Sequence, residues 1–518
     1  MASESTAKVV EEKAPSAVPK DRRYVGSKET FAYILDDIAQ SFNIGKYDDV
    51  FRTNILKIDL KLQSLTNGII GIWDIINDLF LAAIVDRTRT RWGKFKPWLV
   101  VYAIPGVLIS LIYWSLPLVF GTQGIGSAMS RFIPYLILQI FNNLAGSLIT
   151  IVRTGMTATI TPNIVDRTRL ISSANLLSGF VEKAPEILMG LLIDMYINSS
   201  SNKELMLTDL NAYELGYNSM FVIGGVITAL ASGLFALVYA FVAKERVMQT
   251  VDRPAITSGI KSVLTNKPLL LITLSEILGS FSVGLGTNLY YIEVLNLASM
   301  STIVGIPGAV VSPISYSYVP WARSKFSTKA LWIASSHVDS VLMLGVFAAG
   351  ELINFKGKKG YENLAVMIPA FMIRETIWMF FWGLRSVIPN EMRNEAIDYG
   401  EWKNGFRSEG MTGVAKDIVS KVVNTVKNTI QPLLLGLFGY NVNATHGNQT
   451  PKARHALFWM CTFLPVVTGI LSIVPKFFYD LSGEKRDRMY IELRERRKAI
   501  AAEVKEFNDQ AGEGKTAE

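Results

Sequence analysis

The sequence predicts an all-α membrane protein whose chain crosses the bilayer twelve times. Hydrophobic residues make up 50% of its 518 residues, and the mean hydropathy is +0.28 although 19% of the residues are charged. The hydrophobic residues form runs of about 20, the length at which a helix crosses the hydrocarbon core of a bilayer. The charged residues gather in the two tails and in short clusters between these runs. This arrangement is typical of a polytopic membrane protein.

Two of the twelve runs are weakly hydrophobic. The first is unusually polar, and the eleventh contains Lys416, Asp417, Lys421 and Lys427. We keep both as spans because charged residues inside a membrane usually face an internal cavity. The predicted spans are residues 29–53, 63–85, 97–120, 131–160, 171–196, 218–243, 267–295, 298–320, 329–350, 364–389, 411–440 and 455–479.

The charges of the loops predict the orientation in the membrane. The loop 86–96 carries five Lys or Arg residues, whereas the loop 121–130 carries no charge. Because Lys and Arg accumulate on the cytoplasmic side, both termini are expected in the cytoplasm of a cell whose plasma membrane holds the protein. The basic loop 354–360 is an exception on the outer side.

The connection after the sixth span is longer than the others, which suggests two six-helix halves. The N-terminal tail lacks the apolar core of a signal peptide, and the C-terminal tail looks like a charged surface helix. The predicted boundaries are an N-terminal tail at 1–27, a first half at 28–243, a connection at 244–267, a second half at 268–480 and a C-terminal tail at 481–518.

Several functional classes are disfavoured by the composition. A single cysteine, Cys461, excludes an intrachain disulfide, and three histidines argue against a histidine-rich metal site. The net charge of +8 arises from basic residues that flank apolar spans, so we expect no nucleic-acid partner. The sequence contains no nucleotide-binding GxxxxGK[ST] loop and no evident nucleophile–base pair, so we expect neither an enzyme nor a cofactor.

Ionisable residues recur near the middle of the predicted spans. A helix rises about 1.5 Å per residue, so the midplane lies about ten residues from the end of a span. Charges at that depth are costly and commonly line the central site of an alternating-access carrier, although structural ion pairs are the alternative interpretation. The residues concerned are Asp36, Asp37, Asp74, Asp78, Arg153, Glu182, Glu186, Glu276, Arg374, Glu375 and Lys421.

The second span carries the most informative pattern. Asp74 and Asp78 are four residues apart, so their side chains share one face of a helix, and Asn77 adds an amide oxygen beside them. Two carboxylates and an amide oxygen suit a hard monovalent cation or two coupled proton sites. Two unpaired anions repel each other, and a cation or a lysine such as Lys421 relieves the repulsion.

Three segments resemble one family, the glycoside–pentoside–hexuronide:cation symporters of the major facilitator superfamily. The first segment is "WDIIND" followed by "DRTRTRWGKFKPW", residues 73–98. The second is "DYGEWKNGFRSEG", 398–410, and the third is "FYDLSGEKRDRMYIELRERR", 478–497. The resemblance covers about residues 28–500 and implies twelve transmembrane helices in two six-helix halves.

The resemblance implies a role for each matching residue. Asp74, Asn77 and Asp78 match the family's cation-site residues, which would hold Na⁺ in a sodium-coupled carrier, and Lys421 is similar to a lysine beside the cation and sugar sites. The family's sugar-binding aspartate falls on Asp37, with a one-residue ambiguity against Asp36. Cytoplasmic gating segments are matched by Asp86, Arg87, Arg91, Trp92, Gly93 and Lys96, and by Asp398, Tyr399, Gly400 and Glu401.

The sequence departs from the family on the sugar side. Thr154, beside Arg153, stands where melibiose-type members have a sugar-binding aspartate, and Asn175 lies near the position of an arginine. Ala158 replaces a tryptophan. The threonine that completes the sodium site aligns near Ile151, with Thr150 adjacent. Glu182, Lys183 and Glu186 are candidates for a changed pocket.

The sequence therefore predicts a monomeric secondary transporter that couples Na⁺ or H⁺ to the symport of a sugar, glycoside or uronide by alternating access. Two alternatives remain open: a carrier of the same fold for a non-sugar solute, such as a lysolipid or an organic anion, and a membrane sensor that has lost transport. The expected cation site is Asp74, Asn77, Asp78 and Thr150. The expected solute site is Asp36, Asp37, Arg153, Thr154, Asn175, Glu182 and Lys421.

Overall fold

The computed structural model is built almost wholly of helices. Its only strands among the described residues form a small hairpin, Asn354–Phe355 with Lys358–Lys359. The structure describes residues 23–88, 90–120, 128–161, 164–181, 183–246, 265–280, 286–404, 409–481 and 483–496.

Among the described residues, the first half contains nine α-helices, several of which join to make one crossing. Short helical turns at Gly45–Tyr47 and Phe51–Ile55 extend the first crossing beyond α1. The helices are α1 (Ser27–Ser41), α2 (Asp48–Val50), α3 (Leu60–Arg87), α4 (Lys96–Phe120), α5 (Ala128–Thr159), α6 (Ile164–Val181), α7 (Ala184–Asn198), α8 (Ser200–Thr208) and α9 (Leu210–Val242).

The second half follows the same plan, and the described part of the chain ends in a helix at 484–496. Its other helices are α10 (Lys267–Ser280), α11 (Thr287–Glu293), α12 (Met300–Ser315), α13 (Val319–Lys325), α14 (Thr328–Leu352), α15 (Leu364–Phe380), α16 (Trp382–Asn404), α17 (Glu409–Leu437), α18 (Pro451–Leu471) and α19 (Ile473–Phe477).

Some predicted spans are broken rather than continuous. The fifth, predicted as 171–196, divides into α6 and α7, and Pro185 lies in the first turn of α7. The eighth bends by 63° between α12 and α13, and the tenth bends by 42° between α15 and α16. Proline is tolerated in the first turn of a helix but not further inside without a kink, so Pro185 favours a new helix at that position.

Hydropathy alone recognises only part of the bundle. Among the described residues, five helices are long and apolar enough to cross a membrane, or seven if each bent pair counts as one span. Helices α3 and α17, which carry Asp74, Asp78 and Lys421, are not among them. On α3 the apolar residues lie outside, with Ile72 62% and Phe80 66% exposed, while its polar face packs inside the bundle.

The two halves meet along α3 and α17. Ser64 Oγ donates to the Thr429 carbonyl at 2.8 Å, and Asn67 Nδ2 donates to the Asn428 carbonyl at 2.7 Å. One turn further on, a Cβ atom at Gly71 would lie 2.1 Å from the Thr425 side chain. The two helix backbones therefore approach closely at Gly71, immediately before Asp74.

The contacts between the halves lie toward one side of the bundle. We call the side that holds residues 23–26, 87–96 and 484–496 the terminal side, and the opposite side, with residues 198–210, 293–299 and 438–450, the far side. Some hydrogen bonds and ion pairs join a described residue of one half to a described residue of the other. These contacts lie between the level of Lys421 and the far side.

The far side is closed by a dense polar seam. Buried Glu293 accepts a hydrogen bond from Asn54 Nδ2 at 2.6 Å and from the Gly447 amide at 3.0 Å. Tyr440 donates to Asn54 Oδ1 at 2.7 Å, and Lys46 Nζ donates to Ser301 Oγ at 2.5 Å. The structure therefore shows a helical bundle whose halves are joined on the far side.

We expect Gly71→Ala to lower the melting temperature of the purified protein by several degrees, because a methyl group there overlaps Thr425 and overpacking of this kind is destabilising. Gly68→Ala is the matched control on the same helix, since its Cβ would meet nothing closer than 3.8 Å. Equal melting temperatures for the two variants, measured by differential scanning fluorimetry, would contradict the close packing.

Candidate functional site

A lysine from the second half lies between the two aspartates of α3. Lys421 Nζ is 2.7 Å from Asp74 Oδ2 and 2.5 Å from Asp78 Oδ2. The spacing of four residues places both carboxylates on the face of α3 that meets α17. The ammonium group thereby links the halves and neutralises one of two negative charges that would otherwise repel each other.

Two residues of α5 complete this cluster, and the sequence analysis missed both. Asn143 Nδ2 and Ser147 Oγ each donate to Asp74 Oδ1 at 3.0 Å. Asn143 Oδ1 in turn accepts a hydrogen bond from Asn77 Nδ2 at 3.0 Å. The signal available in the sequence was a pair of polar residues four apart in an apolar run, which places them on one face of α5.

The cluster retains two buried oxygen atoms that lack a hydrogen-bond donor. Asn77 Oδ1 and Asp78 Oδ1 are both enclosed and accept no hydrogen bond from the described residues. Buried acceptors are normally satisfied, so two unsatisfied oxygens on adjacent residues call for an explanation. Amide and carboxylate oxygens are the ligands that hard cations prefer, and a proton can also bind a carboxylate.

Thr150 is placed apart from the cluster. Its hydroxyl donates to the Gly146 carbonyl of its own helix at 2.8 Å, and the residue lines a cavity in the first half. The hydroxyl that reaches Asp74 belongs instead to Ser147. The assignment of Thr150 to the cation site stays a prediction, whereas Asn143 and Ser147 are the α5 residues in contact with Asp74.

The two adjacent aspartates of α1 have different partners. Asp36, only 4% exposed, receives Arg153 Nη2 at 2.6 Å and Nε at 3.1 Å. Asp37 accepts a hydrogen bond from Ser178 Oγ at 2.6 Å. Asp36 is therefore held in an ion pair with α5, and Asp37 faces α6.

A polar cavity of about 570 Å³ lies beside Arg153 in the first half. Helices α1, α4, α5 and α9 enclose it. Its polar lining includes Gln40, Asn43, Tyr102, Gln139, Asn142, Thr150 and Arg153.

The remaining predicted solute residues lie outside this lining. Thr154 donates to the Thr150 carbonyl at 2.8 Å, and Asn175 is exposed on α6. The Glu186 carbonyl accepts a hydrogen bond from Tyr47 at 3.3 Å. Glu182 lies outside the described residues.

Comparison with known proteins decides the family. The model of the MFS/sugar transport protein family matches residues 39–483. The chain belongs to this family.

Its relatives share low identity over almost the whole chain. A glucuronide carrier protein homolog of Escherichia coli K12 is 22% identical, with 90% of this chain and 95% of the relative covered. The isoprimeverose transporter of Lactiplantibacillus pentosus is also 22% identical, with 90% and 92% covered. Among solved structures, the xylose transporter XylE of E. coli is 15% identical and has a TM-score of 0.51, with 88% of this chain and 96% of XylE covered.

These findings confirm the predicted fold and class. The protein is a multi-pass transporter of the major facilitator superfamily, in a family of sugar transport proteins, and not an enzyme. The boundaries of the two halves and the roles of single residues stay predictions.

In this transporter, the first predicted gating segment is held by a glutamate that the sequence did not point to. Glu245, just after α9, accepts hydrogen bonds from the backbone amides of Lys94, Phe95 and Lys96 at 2.7–2.8 Å. A carboxylate is favoured there because the amides at a helix N-terminus carry partial positive charge. Gly93 has φ +108°, and a Cβ there would lie 2.5 Å from Glu245, so the turn requires glycine.

Other members of this segment are arranged around the same turn. Lys96 Nζ donates to the carbonyls of Phe241 and Ala243 at 2.9 and 2.8 Å. Arg87 and Arg91 are exposed, and Arg91 lies 5.7 Å from the Trp92 ring centre. The Asp86 side chain lies outside the description of the structure.

The second predicted gating segment lies at the end of α16 and contacts the C-terminal helix. Asp398 Oδ2 accepts a hydrogen bond from Tyr490 at 3.3 Å, and Trp402 Nε1 donates to Glu492 at 2.6 Å. Tyr399 is 9% exposed and packs on Trp402, with Glu401 between them in sequence. These contacts stay within the second half.

We expect Asn143→Ala to weaken cation binding about tenfold to a hundredfold, the usual cost of removing a group that orients a metal ligand. Thermal stabilisation by NaCl, titrated against choline chloride without solute, measures this affinity, and LiCl provides a second cation. Asn142→Ala is the control, because Asn142 lines the cavity in the first half. Identical cation titrations for the two variants would rule out the role of Asn143.

We expect Glu245→Ala to expose the loop 93–96 to trypsin, because three backbone amides lose their common acceptor. Limited proteolysis followed by mass spectrometry should show faster cleavage after Lys94 than in the wild type. Glu204→Ala is the control, since Glu204 is an exposed residue of α8. Unchanged cleavage after Lys94 would show that Glu245 does not hold the loop.

Proposed function

We propose that the symporter binds its coupling cation, Na⁺ or H⁺, between Asp74 and Asp78, and that Lys421 makes this binding control the contact between the halves. The observation that supports the proposal is the bridge from Lys421 Nζ to both carboxylates at 2.7 and 2.5 Å. Among the described residues, this bridge is the ion pair that joins α3 to α17 at mid-depth. A binding event there acts directly on the interface that must open and close.

The charge balance gives the coupling its direction. Two carboxylates and one ammonium leave the cluster with one negative charge, and a monovalent cation brings it to neutrality. Neutral clusters are far less costly than charged ones inside a membrane. The cation-loaded protein is therefore the one suited to switch between the inward-open and outward-open conformations. A ligand shifts the equilibrium between these conformations only as far as its affinities for them differ.

The two unpartnered oxygens mark where the cation would enter. Asn77 Oδ1 and Asp78 Oδ1 are buried acceptors without a described donor, so a cation gains ligands there without breaking existing hydrogen bonds. Asn143 and Ser147 hold the neighbouring Asp74 carboxylate in place. When the cation binds the two carboxylates, the electrostatic attraction between Lys421 and these carboxylates weakens.

We infer a sugar-like solute, namely a sugar, glycoside or uronide, and place it in the polar cavity of the first half. Two relatives support this choice by name, the glucuronide carrier protein homolog and the isoprimeverose transporter. Gln139, Asn142 and Arg153 offer the cavity hydrogen-bonding groups for hydroxyls and a positive charge. Asp37 and Thr154 would act from its margin, and Asn175 and Glu182 remain candidates.

We further propose that the terminal side is cytoplasmic, because it carries the basic loop 86–96. The protein would then lie in the plasma membrane as a monomer with both termini inside the cell. On this assignment, the closed far side makes the conformation inward-facing. The gating residues around 87–96 and 398–401 would meet across the halves in the outward-facing form.

We expect Asp78→Asn to abolish cation-driven accumulation of solute in proteoliposomes while leaving insertion and folding intact, because the amide cannot carry the charge that balances the cation. The assay compares uptake of ¹⁴C-labelled glucuronide and glycoside with and without an inward Na⁺ or H⁺ gradient. Asp59→Asn is the matched control, since Asp59 is the exposed N-cap of the same helix and asparagine caps equally well.

Full accumulation by the Asp78→Asn protein would refute the assignment of the cation site. Accumulation that is independent of any cation gradient, in the wild type as well, would refute coupling itself.

A further inference from the structure

The second half contains a polar cavity that the proposed transport mechanism does not use. It measures about 530 Å³ and lies among α10, α14, α16 and the α18–α19 segment. Its lining combines three cationic side chains, Arg385, Arg393 and Lys476, with one carboxylate, Glu276. Serines and two tryptophans, Trp332 and Trp382, form much of the rest.

Lys476 is the most unusual member of this lining. It is 2% exposed, and its Nζ lies 3.0 Å from His337 Nε2 and 5.1 Å from the centre of the Trp332 ring. No carboxylate of the described residues lies within ion-pair distance of it. A charged lysine can only donate, so with Lys476 as an ammonium the His337 Nε2 atom is the acceptor in this contact. A buried ammonium without a counter-charge is costly.

Arg385 adds a second cation without a direct partner. Its guanidinium lies 5.5 Å from the centre of the Trp378 ring and forms no ion pair with a described residue. The nearby Asp339 interacts with Arg385 electrostatically, but its carboxylate is held by Arg374 at 2.5 Å. Arg374 also pairs with Glu375 at 2.6 Å. Arg374 therefore holds Asp339, the carboxylate that acts on Arg385, and Arg385 has no described carboxylate in direct contact.

Arg393, by contrast, is neutralised. Its Nη2 lies 2.5 Å from Glu276 Oε1, so this pair leaves the lining with the charges of Lys476 and Arg385. The excess of positive charge faces the cavity from two different helices.

The matching cavity of the first half lacks this excess. The pair Asp36–Arg153 joins α1 to α5 as Glu276–Arg393 joins α10 to α16, and each acidic residue is the tenth of its helix. The only cation in the described lining of the first cavity is Arg153. The two halves therefore share an equivalent ion pair, whereas Lys476 and Arg385 occur only in the lining of the second cavity.

We propose that the cavity of the second half binds a small hydroxylated anion, with its carboxylate, sulfonate or phosphate group between Lys476 and Arg385. An oxyanion supplies the direct ion-pair partner that neither Lys476 nor Arg385 has among the described residues, and charge-assisted hydrogen bonds from lysine and arginine are strong. Ser336, Ser340 and Ser386 offer hydroxyls to the remainder of the molecule. This site is separate from the cation cluster and does not depend on it.

The test measures binding rather than transport. Purified full-length protein in sodium-free choline buffer is titrated with glucuronate, glucose or sulfate by isothermal titration calorimetry and by tryptophan fluorescence. We expect glucuronate to bind at least tenfold more tightly than glucose. Sulfate binding as tight as that of glucuronate would identify an inorganic anion as sufficient, and binding of glucuronate alone would identify a sugar acid.

Two variants connect the binding to the two cations. Lys476→Met and Arg385→Gln should each weaken anion binding about tenfold to a hundredfold, the effect of losing one hydrogen bond to a charged group. Lys203→Met is the matched control, because Lys203 is exposed on α8. The ligand-free Lys476→Met protein should melt no lower than the wild type, because an unpaired buried charge has been removed.

The proposal is overturned if glucuronate and sulfate bind no better than glucose, or if both variants bind them like the wild type. A lower melting temperature of Lys476→Met without ligand would also count against it. The Asp78→Asn protein should keep its anion binding, so failure of the cation site and failure of this site give different results.

Discussion

The structure depends on one electrostatic bridge inside the membrane, from Lys421 to Asp74 and Asp78. The carboxylates belong to α3 and the ammonium to α17, so the bridge spans the two halves at mid-depth. In a medium of low dielectric constant, neither the aspartates nor the lysine is stable alone. The need to neutralise these charges therefore holds the halves in register, while the close approach at Gly71 brings the backbones near enough for the bridge to form.

The same constraint organises the rest of the bundle. Asp36 is paired with Arg153, Glu276 with Arg393 and Asp339 with Arg374, each between two helices of one half. These pairs keep each half rigid, because breaking one would leave an uncompensated charge in the interior. The Lys421 bridge differs in that it joins the two halves. Under the proposed mechanism, a cation would therefore change the strength of the bridge without loosening either half.

The sequence predicted the centre of the site better than its surroundings. The depth and spacing of Asp74 and Asp78 required only helix geometry, and Lys421 followed from its depth and the family resemblance. Asn143 and Ser147 were not found, because neutral polar residues are common in membrane helices and their rotation about α5 depends on packing. The choice between Asp36 and Asp37 could not be made from spacing either, since adjacent residues of a helix point about 100° apart. Glu245 escaped notice because it is distant in sequence from the loop it holds.

The central claim is that the mid-depth bridge from Lys421 ties the two halves together and keeps the far side closed. A distance measurement between the halves on that side tests this claim most directly. Lys203 and Lys358 are both exposed, and the carbonyl of Tyr361, near Lys358, accepts a hydrogen bond from Tyr290, next to the far-side segment 293–299. Spin labels at Lys203→Cys and Lys358→Cys, with Cys461→Ser as background, would report the separation by double electron–electron resonance. In the absence of a coupling cation, Lys421→Met should shift the distribution to longer distances than in the protein that retains Lys421, as the far side opens. An unchanged distribution would contradict the account.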